Sequence, residues 1–221
     1  MNYTFQFGTV MDRLPELLAG AILTIRLSAF AMVFGLAIGL ASSIGKVYGP
    51  RPVRWLVSAY VEFIRNTPFL IQLYFVFFAL PHFGIRLSPN NSALVAMVIN
   101  LGAYSTEIVR AGVEAVSEGQ IEAGRALGLK RFQIVRFLVV FPALKAVYPA
   151  LTSQFILVLL GSSVVSAIAA EELTAVANNI NSQTFRSFEI YGIVTVIYIA
   201  IVFGFRAAFT SIYALTFARR G

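Results

Sequence analysis

From Leu17 to Ile44 the chain reads LLAGAILTIRLSAFAMVFGLAIGLASSI, and Arg26 is the only charge in it. A helix rises about 1.5 Å per residue, so this run exceeds the roughly 30 Å of a bilayer's hydrocarbon core. Further apolar runs extend from about Leu56 to Leu80, Ser92 to Val113, Ile134 to Ile168 and Phe188 to Phe217. In lipid, only helices or closed barrels satisfy every backbone group. These runs lack the period-two alternation of barrel strands. The expected fold is therefore an all-α integral membrane protein, one transmembrane domain over residues 1–221, with spans near 17–44, 56–80, 92–113, 134–168 and 188–217. Composition agrees: 58% of residues are hydrophobic and 12% charged, against about 45–50% and about 25% in soluble domains.

The same composition excludes several chemistries. There is no cysteine, one histidine (His82) and one aspartate (Asp12), so disulfide frameworks and thiolate or clustered metal sites are not expected. No catalytic residue, metal ligand or cofactor is assigned to this chain. The net charge of +7 reads as basic membrane-flanking loops rather than nucleic-acid binding. The first apolar run is longer than the about 7–15 residues of a signal h-region, so it reads as an uncleaved span.

Lys and Arg set the orientation. Lys46, Arg51 and Arg54 follow the first span, Arg110, Arg125, Lys130, Arg131 and Arg136 follow the third, and Arg219 and Arg220 lie in the tail. The opposite loops hold only Arg13, Arg86 and Arg186. The positive-inside rule places the N-terminus outside and the C-terminus in the cytoplasm.

On that side the loop near 114–133 contains SEGQIEAGRALGLKRFQ, a polar stretch in an apolar chain. Ser117 and Gln120 have capping-box spacing, and Val116 and Ile121 have hydrophobic-staple spacing. Gly128 falls where a left-handed C-terminal cap belongs. The signals bracket a helix over about Glu118 to Leu127, roughly 15 Å long. A helix that short is marginal in water, and Gly119 and Gly124 weaken it by about 1 kcal/mol each. It needs something to pack against. The small residues Ala123, Gly124 and Ala126 offer close approach to another backbone, and Leu127 and Leu129 offer apolar contact.

Polar groups within spans are costly and face cavities or partners. Asn100, Tyr104 and Glu107 share one helix face. They read either as a path-lining stripe or as a network in which Glu107 pairs with Arg65 or Arg110. Arg65, Asn66 and Thr67 precede Pro68, which disrupts helix bonding. Broken helices border ligand sites in transporters, so this stretch and Gln72 read as a gate, or as a plain kink. Ser162 and Ser163 line a path or serve small-residue packing, and Gln154 is ambiguous in the same way. His82 reads as an interfacial residue, and Glu171 to Phe188 as a cap on the outer mouth.

Together these segments carry a family resemblance. EAGRALG followed by FPALKAVYPAL resembles the EAA loop of ABC importer permeases. YVEFIRNTPFLIQLYFVFFALP, LGAYSTEIVRAGVEAVSEGQIEAGRALGL and GSSVVSAIAAEEL resemble, in order, the second span, the third span with its loop, and the segment before the outer loop of the binding-protein-dependent permeases for polar amino acids. The resemblance covers nearly the whole chain. It implies a type I ABC importer permease (MetI-like) fold and a bacterial inner-membrane location. It also implies a second permease subunit, the same or related, a dimer of ABC ATPase subunits carrying ATP and Mg, an extracytoplasmic solute-binding protein and an amino-acid substrate. Glu118, Glu122, Ala123, Gly124, Ala126, Leu127 and Gly128 then form the helix that docks on the ATPase. The chain has no Walker A sequence, so it is the membrane lever and not the enzyme. A same-fold permease for another small polar solute is the alternative, with a passive channel or membrane scaffold behind it.

Two departures stand out. The spacing from Gly128 to Pro142 is one residue longer than the family pattern. Leu160, Gly161, Ser162 and Ser163 stand where many members have Lys-Asp-Thr-Ser, so the acidic group that would meet a cationic substrate is missing.

Overall fold

The computed structural model describes residues 4–217, so Arg219 and Arg220 lie outside the described residues. The described residues are helical, with no strand among them. After a short α1 (Phe7–Met11) the chain forms α2 (Leu14–Tyr48), α3 (Arg51–Arg65), α4 (Phe69–Tyr74) and α5 (Pro89–Glu114). Next come α6 (Glu118–Ala126), α7 (Arg131–Gln133), α8 (Phe141–Gly161), α9 (Leu173–Thr184) and α10 (Ser187–Thr216).

Among the described residues, four helical stretches are long and apolar enough to cross a membrane: Leu14–Tyr48, Pro89–Glu114, Arg131–Ile168 and Ser187–Thr216. A fifth candidate is the broken pair Arg51–Arg65 and Phe69–Phe83. The break falls at Pro68, where the missing N–H ends the helical ladder. Pro149 is tolerated inside α8, where the hydroxyls of Thr152 and Ser153 donate to its carbonyl at 2.9 and 3.0 Å.

The chain divides into two compact units. One comprises Met1–Ala31, Phe69–Met97 and Ile156–Phe209. Here α2 meets the start of α9 at Gly20, where an added Cβ would lie 3.0 Å from the Leu173 Cα. That proximity lets the Thr24 hydroxyl accept a bond from the Leu173 amide at 3.1 Å. Glu172 is fully buried and caps α9, accepting from the Ala175 amide at 2.8 Å and the Tyr198 hydroxyl at 2.9 Å. Burial pushes its carboxyl above the usual carboxylate range, and these hydrogen bonds offset only part of the shift. Glu189, also fully buried, accepts from the Gln6 amide at 2.9 Å.

The other unit comprises Met32–Pro68, Val98–Phe155 and Thr210–Gly221. Its helices pack through small residues. An added Cβ on Gly35 would meet Leu101 at 2.9 Å, one on Gly102 would meet the Tyr60 hydroxyl at 2.7 Å, and one on Gly112 would meet Val147 at 2.6 Å. Close backbone approach of this kind replaces the hydrophobic driving force that lipid cannot supply.

Candidate functional site: the loop helix and the polar groups of the spans

The polar loop folds as the helix α6. Its C-terminus closes as expected: Gly128 has φ +73°. The Leu129 amide bonds the Gly124 carbonyl at 3.1 Å and the Gly128 amide bonds the Arg125 carbonyl at 2.9 Å. This paired 6→1 and 5→2 pattern satisfies carbonyls that the helix end leaves open. The N-terminus differs from the expectation. Ser117 occupies the N-cap but its side chain makes no cap hydrogen bond, and the Gln120 amide bonds the Ser117 carbonyl instead at 3.1 Å. A side-chain cap occurs one element later, where the Gln133 side chain accepts from the Lys130 amide at 2.8 Å. That pair is visible in the sequence as a glutamine three residues past the N-cap Lys130.

The faces of α6 also sort differently from the expectation. Gly124 is not outward clearance. It is buried, and an added Cβ would lie 2.5 Å from Leu138 Cδ1 and 3.3 Å from Ile134. Its missing side chain lets α6 seat on its own chain. Glu118, Glu122, Ala123 and Ala126 are exposed, and Leu127 keeps 80% of its surface in the open. A helix too short to stand alone is thus anchored through one face and leaves the other unpartnered.

Ile134–Val140, the segment that seats Gly124, is a turn of π-helix joining α7 to α8. A π turn takes in more residues than an α turn.

Just before the loop, an ionic chain closes the end of α5. Glu107 accepts from Lys46 Nζ at 2.7 Å and from Arg110 at 2.9 Å. Arg110 also bonds Glu114. Glu107 is therefore spent on an ion network, the paired alternative. Its partners are Arg110 and Lys46 rather than Arg65. Lys46 escaped the sequence reading because it lies 61 positions away. Arg65 instead stacks over Tyr104, 5.5 Å from the ring centre.

The helix end before Pro68 consumes its own polar groups. Asn66 Nδ2 donates to the Glu62 carbonyl at 2.8 Å and to the Glu62 carboxylate at 3.1 Å. The Thr67 hydroxyl donates to the Phe63 carbonyl at 2.9 Å. Gln72 is buried and Asn100 half-buried. Gln154 is half-buried, and its side chain makes no hydrogen bond to the described residues. Ser162 is fully buried and donates to the Leu159 carbonyl at 2.7 Å. Ser163 bonds the Leu160 carbonyl at 2.9 Å and lines a cavity of about 570 Å³ with Thr195, Tyr198 and Arg206.

Helices long and apolar enough to cross a membrane, joined by a short anchored helical loop, define the class: an integral membrane protein. Residues 31–220 match the family described as "Binding-protein-dependent transport system inner membrane component". The chain belongs to that family and is a permease subunit of the inner membrane. It is 34% identical over 199 residues to the glutamine transport system permease protein GlnP of Escherichia coli (strain K12), covering 89% of this chain and 91% of that one. It is 36% identical over 170 residues to the L-cystine transport system permease protein TcyB of Bacillus subtilis (strain 168), covering 76% and 72%. A solved amino acid ABC transporter with histidines superposes with a TM-score of 0.84 at 34% identity, over 95% of this chain and 98% of that one.

Proposed function

We propose that this permease is the membrane lever of an ATP-driven importer for an uncharged polar amino acid. In this reading its N-terminus lies outside and its C-terminus in the cytoplasm. A second permease copy or relative completes the translocation path, and a binding protein delivers substrate from outside. A pair of ABC ATPases, carrying ATP and Mg, docks on Glu118, Glu122, Ala123, Ala126 and Leu127. Gly124 and Gly128 shape the helix from behind. This chain supplies no catalytic group.

The observation that carries the reading is the two-sidedness of α6. Gly124 is seated on Ile134 and Leu138, so a push on the exposed face passes into the π turn and the fourth span. A freely solvated connector would gain nothing from that seat. Support for an uncharged substrate comes from Leu160-Gly161-Ser162-Ser163, which holds hydroxyls and no acid, and from the glutamine and cystine permeases among the relatives.

The test is to co-purify the chain with its ATPase subunits, reconstitute it, and add binding protein with each amino acid in turn. Stimulated ATP hydrolysis and uptake should follow with an uncharged polar amino acid. Uptake that persists without any ATPase subunit would mark a passive pathway and end the proposal.

A further inference from the structure

Where α2 ends and the fourth span begins, the structure holds a cavity of about 440 Å³. Its rim carries Tyr48, Arg125 and Arg131, and its floor includes Ile121, Ile134 and Val139. Ile134 and Val139 are buried, at 5% and 1% exposure.

Four other cations of this unit are engaged: Lys46 and Arg110 with carboxylates, Arg65 and Arg136 over aromatic rings. The side chains of Arg125 and Arg131 make no hydrogen bond, ion pair or ring contact with the described residues, and the Tyr48 hydroxyl makes no hydrogen bond. Two guanidinium groups and a phenol thus border one cavity with their donors unspent. Guanidinium forks match phosphate oxygens.

The floor narrows the ligand. A small inorganic anion would satisfy the arginines and leave the apolar floor in water. An anion with an apolar stem covers both. Position narrows it further. Tyr48 is the last residue of one candidate spanning helix and Arg131 the first of another, so the rim lies where two membrane-crossing helices end. Tyrosines sit at headgroup level, and basic pockets between span ends hold anionic headgroups.

We propose that this cavity binds the headgroup of an anionic phospholipid. Arg125 and Arg131 clamp the phosphate oxygens, the Tyr48 hydroxyl donates a third bond, and the glycerol end of the lipid lies on Ile121, Ile134 and Val139. Because Arg125 belongs to α6 and Arg131 to α7, the headgroup ties the loop helix to the following span. Lipid composition then tunes how firmly α6 is held. The site stands independently of what docks on the outer face of α6, since lipid retention is read on the permease itself.

The test is native mass spectrometry and lipid extraction on the complex, purified from discs of phosphatidylcholine mixed with phosphatidylglycerol. Phosphatidylglycerol should survive delipidation on the wild type. Its retention should fall about tenfold in Arg125→Gln/Arg131→Gln, as expected for loss of one or two charge-assisted contacts. Arg125→Lys/Arg131→Lys keeps the charge without the forks and should retain an intermediate amount, which separates lost binding from lost folding. Arg51→Gln/Arg54→Gln removes two nearby exposed cations that do not line the cavity and should retain lipid fully. Equal loss in both glutamine pairs would mean general charge attraction and overturn the proposal. Competition by inorganic phosphate as strong as that by phosphatidylglycerol would mark a small-anion site and overturn it too.

Discussion

Gly124 of the loop helix rests on Leu138 of the following π turn, so closely that a β-carbon on the glycine would fall 2.5 Å from the leucine Cδ1. The neighbour is the tip of a flexible side chain, which decides how each substitution behaves. Gly124→Ala gains about 1 kcal/mol of helix propensity and asks Leu138 for a small rotation, so stability should change little. Gly124→Leu overpacks the seat and should cost about 1–3 kcal/mol. Leu138→Ala should recover part of that loss, measured by thermal unfolding in detergent. No recovery in the double variant would place the strain elsewhere.

Gly128 holds φ +73°, where a β-carbon costs roughly 1–2 kcal/mol. Gly128→Val should loosen the end of α6 and lower uptake per ATP hydrolysed while the protein stays in the membrane. Gly128→Pro should act more strongly, because it also removes the amide that bonds the Arg125 carbonyl. Wild-type coupling in both variants would remove the loop helix from the transport mechanism.

Glu107 joins Lys46 and Arg110 in partly buried ion pairs. Glu107→Leu leaves Lys46 without its carboxylate and should destabilise by about 1–3 kcal/mol, the cost of an unsatisfied charged group. Lys46→Met/Glu107→Leu should be less destabilised than the sum of its single changes. Strict additivity in that cycle would mean that the pair contributes no coupling.

Glu172 is buried and its carboxyl sits above the usual range. A raised carboxyl favours the neutral form, so the folded state keeps a proton that the unfolded chain releases. The resulting stability is full below the ordinary carboxyl value and is lost as pH rises through the raised one. Glu172→Gln mimics the neutral form. Its melting temperature minus that of the wild type should therefore increase as pH climbs through the mildly acidic range. A flat difference would show that Glu172 titrates as an ordinary carboxylate.

The chain has no cysteine, so a single one reports topology cleanly. Glu122→Cys should label only from the cytoplasmic face of sealed vesicles, and Gln183→Cys only from the outside. Labelling of position 122 from outside alone would invert the proposed orientation.

Much of the fold is legible along the chain because its signals are local. Apolar runs long enough to cross lipid mark the spans, Pro68 marks the break, and Gly128 marks the end of α6. The legible share of the site is smaller. Asn66 and Thr67 look like gate residues in a sequence, yet their polar atoms close the end of their own helix. Glu107 was visible as a costly charge and Arg110 as a partner, but nothing local pointed to Lys46.

Sequence alone therefore determined what the solvent dictates: which segments must be helices in lipid, where the chain must stay polar, and which glycine must turn left-handed. Tertiary structure decided what depends on neighbours far apart in the chain. It turned Gly124 inward onto Leu138, paired Lys46 with Glu107, buried Glu172 beneath Tyr198, and left Arg125 and Arg131 facing one cavity. Local signals come from backbone sterics and hydrophobic period, which act within a few residues. Packing and charge pairing act through space, and only the folded helices bring those partners together.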